Sequence, residues 1–207
     1  MLRIAVTGSP GIGKSTVVAK VAEKLADQSG LNTVLRIAVT GSPGIGKSTV
    51  VAKVAEKLAD QSGLKIGGIQ TAEIRNEGER EGFSIKDLAT GKTGLLASIR
   101  GKGPRVGKYH VNLKDLERIG ANALRNALDC DLIVIDEVGP MELKSEAFVS
   151  AVEAVLESNK PVLAVLHRSS SHQLAQRMRK EFEVFTVDEE NRDELPEKII
   201  NRFMEMR

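Results

Sequence analysis

Apolar residues follow two alternating rhythms along this chain. Short continuous runs, IAV at residues 4–6 and again at 37–39, LIVI at 132–135, PVLAVL at 161–166 and VFTV at 184–187, suit strands buried on both faces. After each IAV run, apolar residues recur at helical spacing: Val17, Val18, Val21, Ala22 and Leu25, then Val50, Val51, Val54, Ala55 and Leu58. Lys20, Glu23, Lys24 and Asp27 fall largely off that stripe, and Gly30 or Gly63 closes each predicted helix. Further helices are expected over 113–128, 145–158, 171–181 and 196–206. Strands are expected over 66–74, 83–87 and 94–99, the last two joined by the turn-like ATGK at 89–92 into an antiparallel meander. Residues 101–112, GKGPRVGKYHVN, read as a basic loop rich in Gly and Pro. Apolar strands alternating with amphipathic helices predict an α/β fold: a mainly parallel sheet, helices on both faces, and the meander beside it.

The pattern repeats literally at its start. Residues 2–31 recur unchanged as 35–64, with only Asn32, Thr33 and Val34 between. Two copies followed by none exclude a solenoid. Thirty identities in thirty point to a recent or deliberate duplication, with engineering the favoured origin. The second copy runs directly into Lys65-Ile66, so residues 35–207 form the core of a single domain spanning 1–207, and 1–34 form an N-terminal extension. Were the first copy to take the native place, the second would leave the connection and return to it, a modest loop-closure cost that still hides an apolar strand and helix stripe. The spare copy is expected to seek burial, at a sheet edge, on a face, or in a domain-swapped dimer, and a mixture of placements stays open beside a simple monomer.

Composition narrows the classes. A chain of 207 residues with 41% hydrophobic and 28% charged positions fits one globular domain. Its formal charge of +2, from 30 basic and 28 acidic residues, gives nucleic acid or an anionic membrane little to attract, and 3% aromatics without Trp argue against a stacking binder of single strands. No nucleic acid is therefore expected as an obligatory partner. The single Cys130 allows no internal disulfide and is expected to be packed and inert. No stretch approaches the roughly 18 apolar residues of a membrane span, and no secretory signal opens the chain; the cytoplasm is the expected location.

The candidate chemistry lies in GSPGIGKST, at 8–16 and 41–49. G-x-x-x-x-G-K-[ST] after a strand and opening a helix is the Walker A context: glycines let backbone N–H groups close round a phosphate and the helix dipole assists. In the second copy Gly41, Ser42, Pro43, Gly44, Ile45, Gly46, Lys47, Ser48 and Thr49 would enclose the phosphates, with Lys47 at the β/γ charge and the Ser48 hydroxyl on Mg²⁺. The first copy carries the same parts in Gly11, Gly13, Lys14, Ser15 and Thr16. LIVIDE at 132–137 is the natural partner, Asp136 holding Mg²⁺ directly or through water and Glu137 aligning or deprotonating the attacking water. Arg105, His167 and Arg168 are candidates for neutralising the transferred phosphoryl group. His110 and His172 read as surface residues, and Lys102 and Lys108 as a solvated basic face.

Taken together, GSPGIGKST, LIVIDEVGPMEL, GPRVGKYHVN, PVLAVLHR and ENRDELP, in this order, resemble the small nucleoside-triphosphatases of the THEP1 type over essentially all of 35–207. The resemblance implies a RecA-like P-loop fold and Mg²⁺-dependent hydrolysis of ATP, GTP and other nucleoside triphosphates. It also implies a loop around Asn191–Asp193 near the base, and the Asp136 strand beside the P-loop strand. The family pattern has one P-loop, so residues 1–34 are the departure. Two rival readings stand beside this one. A nucleoside or nucleotide kinase would use the same loop but bind a phosphoryl acceptor, and a non-hydrolysing nucleotide-binding scaffold would bind without turnover.

Overall fold

The computed structural model describes residues 34–205. The first glycine loop, with Gly11, Gly13, Lys14, Ser15 and Thr16, lies outside the described residues, as do Met206 and Arg207.

In chain order the elements are β1 (Arg36–Gly41), α1 (Lys47–Ser62), β2 (Ile66–Asn76), β3 (Glu79–Asp87), β4 (Thr93–Ser98), β5 (Arg105–Val106) and β6 (Tyr109–Val111). A composite helix follows, called α2: Leu113–Asp115, a π-helical stretch Leu116–Ala121, Asn122–Asn126 and a 3-10 turn Ala127–Asp129. Then come β7 (Leu132–Val138), a 3-10 turn Glu142–Lys144, α3 (Glu146–Glu157), β8 (Val162–Leu166), α4 (Gln173–Glu181), β9 (Glu183–Val187) and α5 (Leu195–Glu205).

All nine described strands form one sheet in the order β5-β6-β4-β3-β2-β7-β8-β1-β9. From β2 to β9 every neighbour pair is parallel; from β2 outward to β5 every pair is antiparallel. The parallel part is covered on both sides, which explains the unbroken apolar runs. Along β7, Leu132 and Val134 join the cluster packed on α1 and α5, whereas Ile133 and Ile135 join the one packed on α2, α3 and α4. β1 divides likewise, Ile37 and Val39 to the first cluster and Ala38 to the second. Alternate side chains of an extended strand point to opposite faces, so a strand between two helical layers must be apolar at every position.

Four expectations need correction. Residues 101–112 are not all loop: β5 and β6 pair antiparallel across Gly107, whose φ of 58° suits a residue without Cβ. The helix expected over 113–128 is interrupted by its π-helical stretch, which contains Gly120; a Cβ there would stand 2.8 Å from Ile85 Cδ1, so the turn lies tight against β3. The strands expected over 66–74 and 83–87 extend into a hairpin about Glu77-Gly78 and make the meander longer. Finally, the Asp136 strand is not beside the P-loop strand. β8 lies between β7 and β1, because α1 carries the chain past both β8 and β7 before β2 begins.

Candidate functional site

Three chain segments meet at the carboxyl ends of the parallel strands. The first is the glycine loop 41–49. Gly41 has φ 151°, and a Cβ there would lie 2.7 Å from the Val187 carbonyl oxygen. Gly46, at φ 105°, is the N-cap of α1. Only glycine takes these conformations without strain, and their effect is to aim backbone N–H groups and the start of a 16-residue helix at one point. Lys47 Nζ donates to the Ser42 carbonyl at 3.0 Å, folding the lysine back over the loop.

The second segment is the end of β7. Its pairing with β8 is irregular between Ile135 and Val138, so Asp136 and Glu137 sit where the ladder is interrupted. Asp136 is 1% exposed. Its Oδ1 accepts the Ser48 hydroxyl at 2.7 Å and its Oδ2 accepts the Thr71 backbone N–H at 3.1 Å. Burial pushes this carboxyl up to about 6; the Ser48 and Thr71 hydrogen bonds oppose the rise and the Glu137 charge adds to it. Glu137 is half-buried and lines a cleft of about 780 Å³ together with Lys47, Ser48, Thr49 and most of the glycine loop.

The third segment is the loop after β8. His167 and Arg168 line the same cleft. Arg179 of α4 braces the loop from behind, donating to the carbonyls of His167 at 2.8 Å, Arg168 at 3.3 Å and Ser170 at 2.8 Å.

The arrangement brings together Gly41, Pro43, Gly44, Gly46, Lys47, Ser48, Thr49, Glu137, His167 and Arg168 as lining groups, with Asp136 hydrogen-bonded to Ser48 behind them. Ile45 turns toward the core. Two candidates lie apart. Arg105 is exposed and does not line the cleft; its Nε donates to the Gly107 carbonyl at 2.8 Å. Asn191 organises its own loop, donating to the Thr186 carbonyl and accepting the Asp188 N–H. Exposed His172 caps α4 by accepting the Leu174 N–H, and half-buried His110 contacts the Gly103 carbonyl. Cys130 is buried and packed, and burial pushes its thiol up, as an inert cysteine requires.

Sequence reasoning missed Glu142. Its carboxyl, 5% exposed, accepts the Gly139 N–H at 3.0 Å and closes the turn that follows Glu137. Burial, then the Glu137 charge, pushes it up to about 8, so at neutral pH it is a protonated acid beside Glu137. An acidic residue in VGPMEL gives no local sign of burial. The cleft wall formed by Thr71, Glu73, Arg80 and Phe83 of the meander was also unmarked, since it depends on β2 and β3 lying next to β7.

The oxygens fit a hard cation. A buried carboxylate and a hydroxyl 2.7 Å apart, beside a phosphate-type loop, are the donors with which Mg²⁺ shares its shell with substrate oxygens.

A protein-family model described as NTPase matches residues 3–33 and 36–200, taking in both copies of the repeat. The chain belongs to the NTPase family. Within it, the nucleoside-triphosphatase THEP1 of Methanosarcina barkeri is 83% identical over 207 residues, covering 100% of both chains. That of Archaeoglobus fulgidus is 44% identical over 96% of both. Two solved NTPase structures are similar. THEP1 from the hyperthermophile Aquifex aeolicus has a TM-score of 0.70 and 31% identity, covering 81% of this chain and 98% of its own. A human cancer-related nucleoside triphosphatase has a TM-score of 0.71 and 34% identity, covering 84% and 99%. The α/β P-loop fold expected for the NTPase family is the one observed, and among the described residues no helix is long and apolar enough to cross a membrane.

Proposed function

We propose that the chain hydrolyses nucleoside triphosphates, ATP and GTP among them, to diphosphate and phosphate, at the loop 41–49 and with Mg²⁺. The observation that carries this is the bond of Ser48 Oγ to Asp136 Oδ1 at 2.7 Å, with Glu137, the next residue, facing the same cleft as Lys47. It joins a phosphate loop, a cation-binding oxygen pair and a general base in one site.

In this reading the backbone N–H groups of 41–49 receive the β- and γ-phosphates and Lys47 leaves the Ser42 carbonyl to meet their charge. Ser48 and Asp136 would hold Mg²⁺, which when bound neutralises charge on the phosphate oxygens. Glu137 orients a water in line with the γ-phosphorus and takes its proton as the bond to the β-bridging oxygen breaks. His167 and Arg168, fixed by Arg179, face the transferred group, where prearranged charge supplies most of the rate.

The first copy, residues 1–34, contributes no part of the working site. The solved relatives support this: four-fifths of this chain spans nearly their whole length, a share close to that of residues 35–207. Phosphate release from ATP and GTP with Mg²⁺, compared for the intact chain, Lys14→Ala and Lys47→Ala, tests both points. Loss only in Lys47→Ala is expected, and loss only in Lys14→Ala would move the site to the first copy. Tight nucleotide binding without phosphate release in the intact chain would replace the hydrolase with a scaffold.

A further inference from the structure

We propose that Glu142 is a positioning residue for hydrolysis: its side chain ties the turn after β7 to α3 and so fixes where the Glu137 carboxylate stands. The proposal rests on the nucleotide reading above, and it gives a task to a buried carboxyl in the cleft wall that the mechanism leaves unused.

Glu137 sits where the sheet gives it little support. The pairing of β7 with β2 runs from Leu132 to Ile135, and that with β8 from Ile133 to Ile135 and again at Val138. Asp136 and Glu137 fall in the gap. Asp136 is held there by its bonds to Ser48 and Thr71, whereas the Glu137 carboxylate has no hydrogen-bond partner among the described residues. A base keeps its lone pairs for the water it orients, so its place has to be set by the backbone beneath it.

Glu142 holds that backbone from the far end of the turn. Its Oε2 accepts the Gly139 N–H at 3.0 Å, two residues beyond Glu137. The Gly139 carbonyl accepts the Leu143 N–H at 3.1 Å, so both polar groups of Gly139 are engaged by the 3-10 turn Glu142–Lys144. The Glu142 carbonyl accepts the Ser145 N–H at 3.2 Å, and Ser145 caps α3 by accepting the Phe148 N–H at 3.2 Å. Ser145 and Phe148 are buried, so the anchor at that end belongs to the core. Through Glu142 the rigidity of the 12-residue α3 reaches the base.

The two carboxyls meet over one glycine. A Cβ on Gly139 would stand 3.1 Å from Glu142 Oε2 and 3.2 Å from Glu137 Oε1. Glycine leaves that space open, and Glu142, a protonated acid at neutral pH, shares it with the base without like-charge repulsion. What Glu142 supplies is an acceptor for the Gly139 N–H rather than a charge. Gln carries the same acceptor and Leu carries none.

The test compares the intact chain with Glu142→Gln, Glu142→Leu and Gly139→Ala. It measures kcat and KM for phosphate release from ATP with Mg²⁺, and the affinity and stoichiometry of a non-hydrolysable ATP analogue by calorimetry. Glu142→Leu should lower kcat by about tenfold to a hundredfold, the scale on which a misplacement of about 1 Å slows a reaction, with KM, affinity and stoichiometry within about threefold. Glu142→Gln should restore kcat to within about threefold of the original chain. Gly139→Ala keeps Glu142 but sets a methyl between the carboxyls; kcat should fall about tenfold at constant affinity, and this variant decides the matter if Glu142→Leu does not fold. Unchanged kcat in folded Glu142→Leu or in Gly139→Ala, equal loss in the Gln and Leu variants, or a kcat that falls only in step with the fraction of chains binding the analogue would overturn the proposal and leave the hydrolase standing. Absence of phosphate release from the intact chain would overturn both.

Discussion

Replacing Glu142 by Gln should stabilise the protein, and by an amount that grows with pH. In the folded chain the carboxyl is pushed up from its ordinary 4.5 to about 8, first by burial and then by the charge of Glu137. Below pH 4.5 the group is protonated folded or unfolded and contributes nothing to the pH dependence. Between about 4.5 and 8 the unfolded chain releases the proton while the folded chain retains it, so stability falls as pH rises through this window. At 1.36 kcal/mol per unit, the interval from 4.5 to neutral pH amounts to about 3 kcal/mol. Gln keeps the carbonyl that accepts the Gly139 N–H, fills nearly the same space and has no proton to lose. The variant should therefore match the wild type near pH 4.5 and melt about 6–12 °C higher at pH 7, from 2–4 °C per kcal/mol for a chain of this size. Thermal unfolding of both proteins at half-unit steps from pH 4.5 to 8.5 measures the difference, in which the titrations of groups not coupled to Glu142 cancel. A gap that does not change with pH, or one that closes as pH rises, would refute the reasoning. Adding Glu137→Gln to both should narrow the gap, since part of the rise comes from that charge.

Other perturbations test the site from different sides. Glu137→Gln should retain nucleotide binding, measured by calorimetry, and slow phosphate release by about 10²–10⁴; an unchanged rate would remove Glu137 as the base. Gly41→Ala places a methyl 2.7 Å from the Val187 carbonyl at φ 151° and should cost about 1–3 kcal/mol in a denaturant melt, and a neutral outcome would show that the loop yields there. Arg179→Ala removes the guanidinium that holds the His167, Arg168 and Ser170 carbonyls; kcat should fall while nucleotide affinity holds, and equal loss of both would point to general collapse of the loop instead.

What could be read from the sequence depended on the range of the interaction behind it. The parallel strands were legible because a strand between two helical layers is apolar at every position, and that is a one-dimensional pattern. Val134 and Ile135 are neighbours that serve different layers, and the run of both records it. The glycine loop was legible because its physics is local: conformation at Gly46 and the helix start lie within a few residues of the lysine they serve. Asp136 and Glu137 were legible only as the end of such a run, and the site needed β7 to be brought near α1 across β8, a placement no spacing encodes. Glu142 was illegible because burial of a carboxyl depends on what surrounds it. So was the pairing of Arg80 with Glu73 and Tyr109, which unites three strands and becomes a surface only when the meander lies beyond β7. The same physics explains why the repeat defeats sequence reading at its central point. Two identical segments carry identical local signals, so what separates them is the non-local term: the direct run of the second copy into β2, whose Ile66 pairs with Leu132 at the start of the strand that bears Asp136. A lysine substitution in each copy reads that term directly, because the proposed chemistry requires the loop whose serine reaches Asp136.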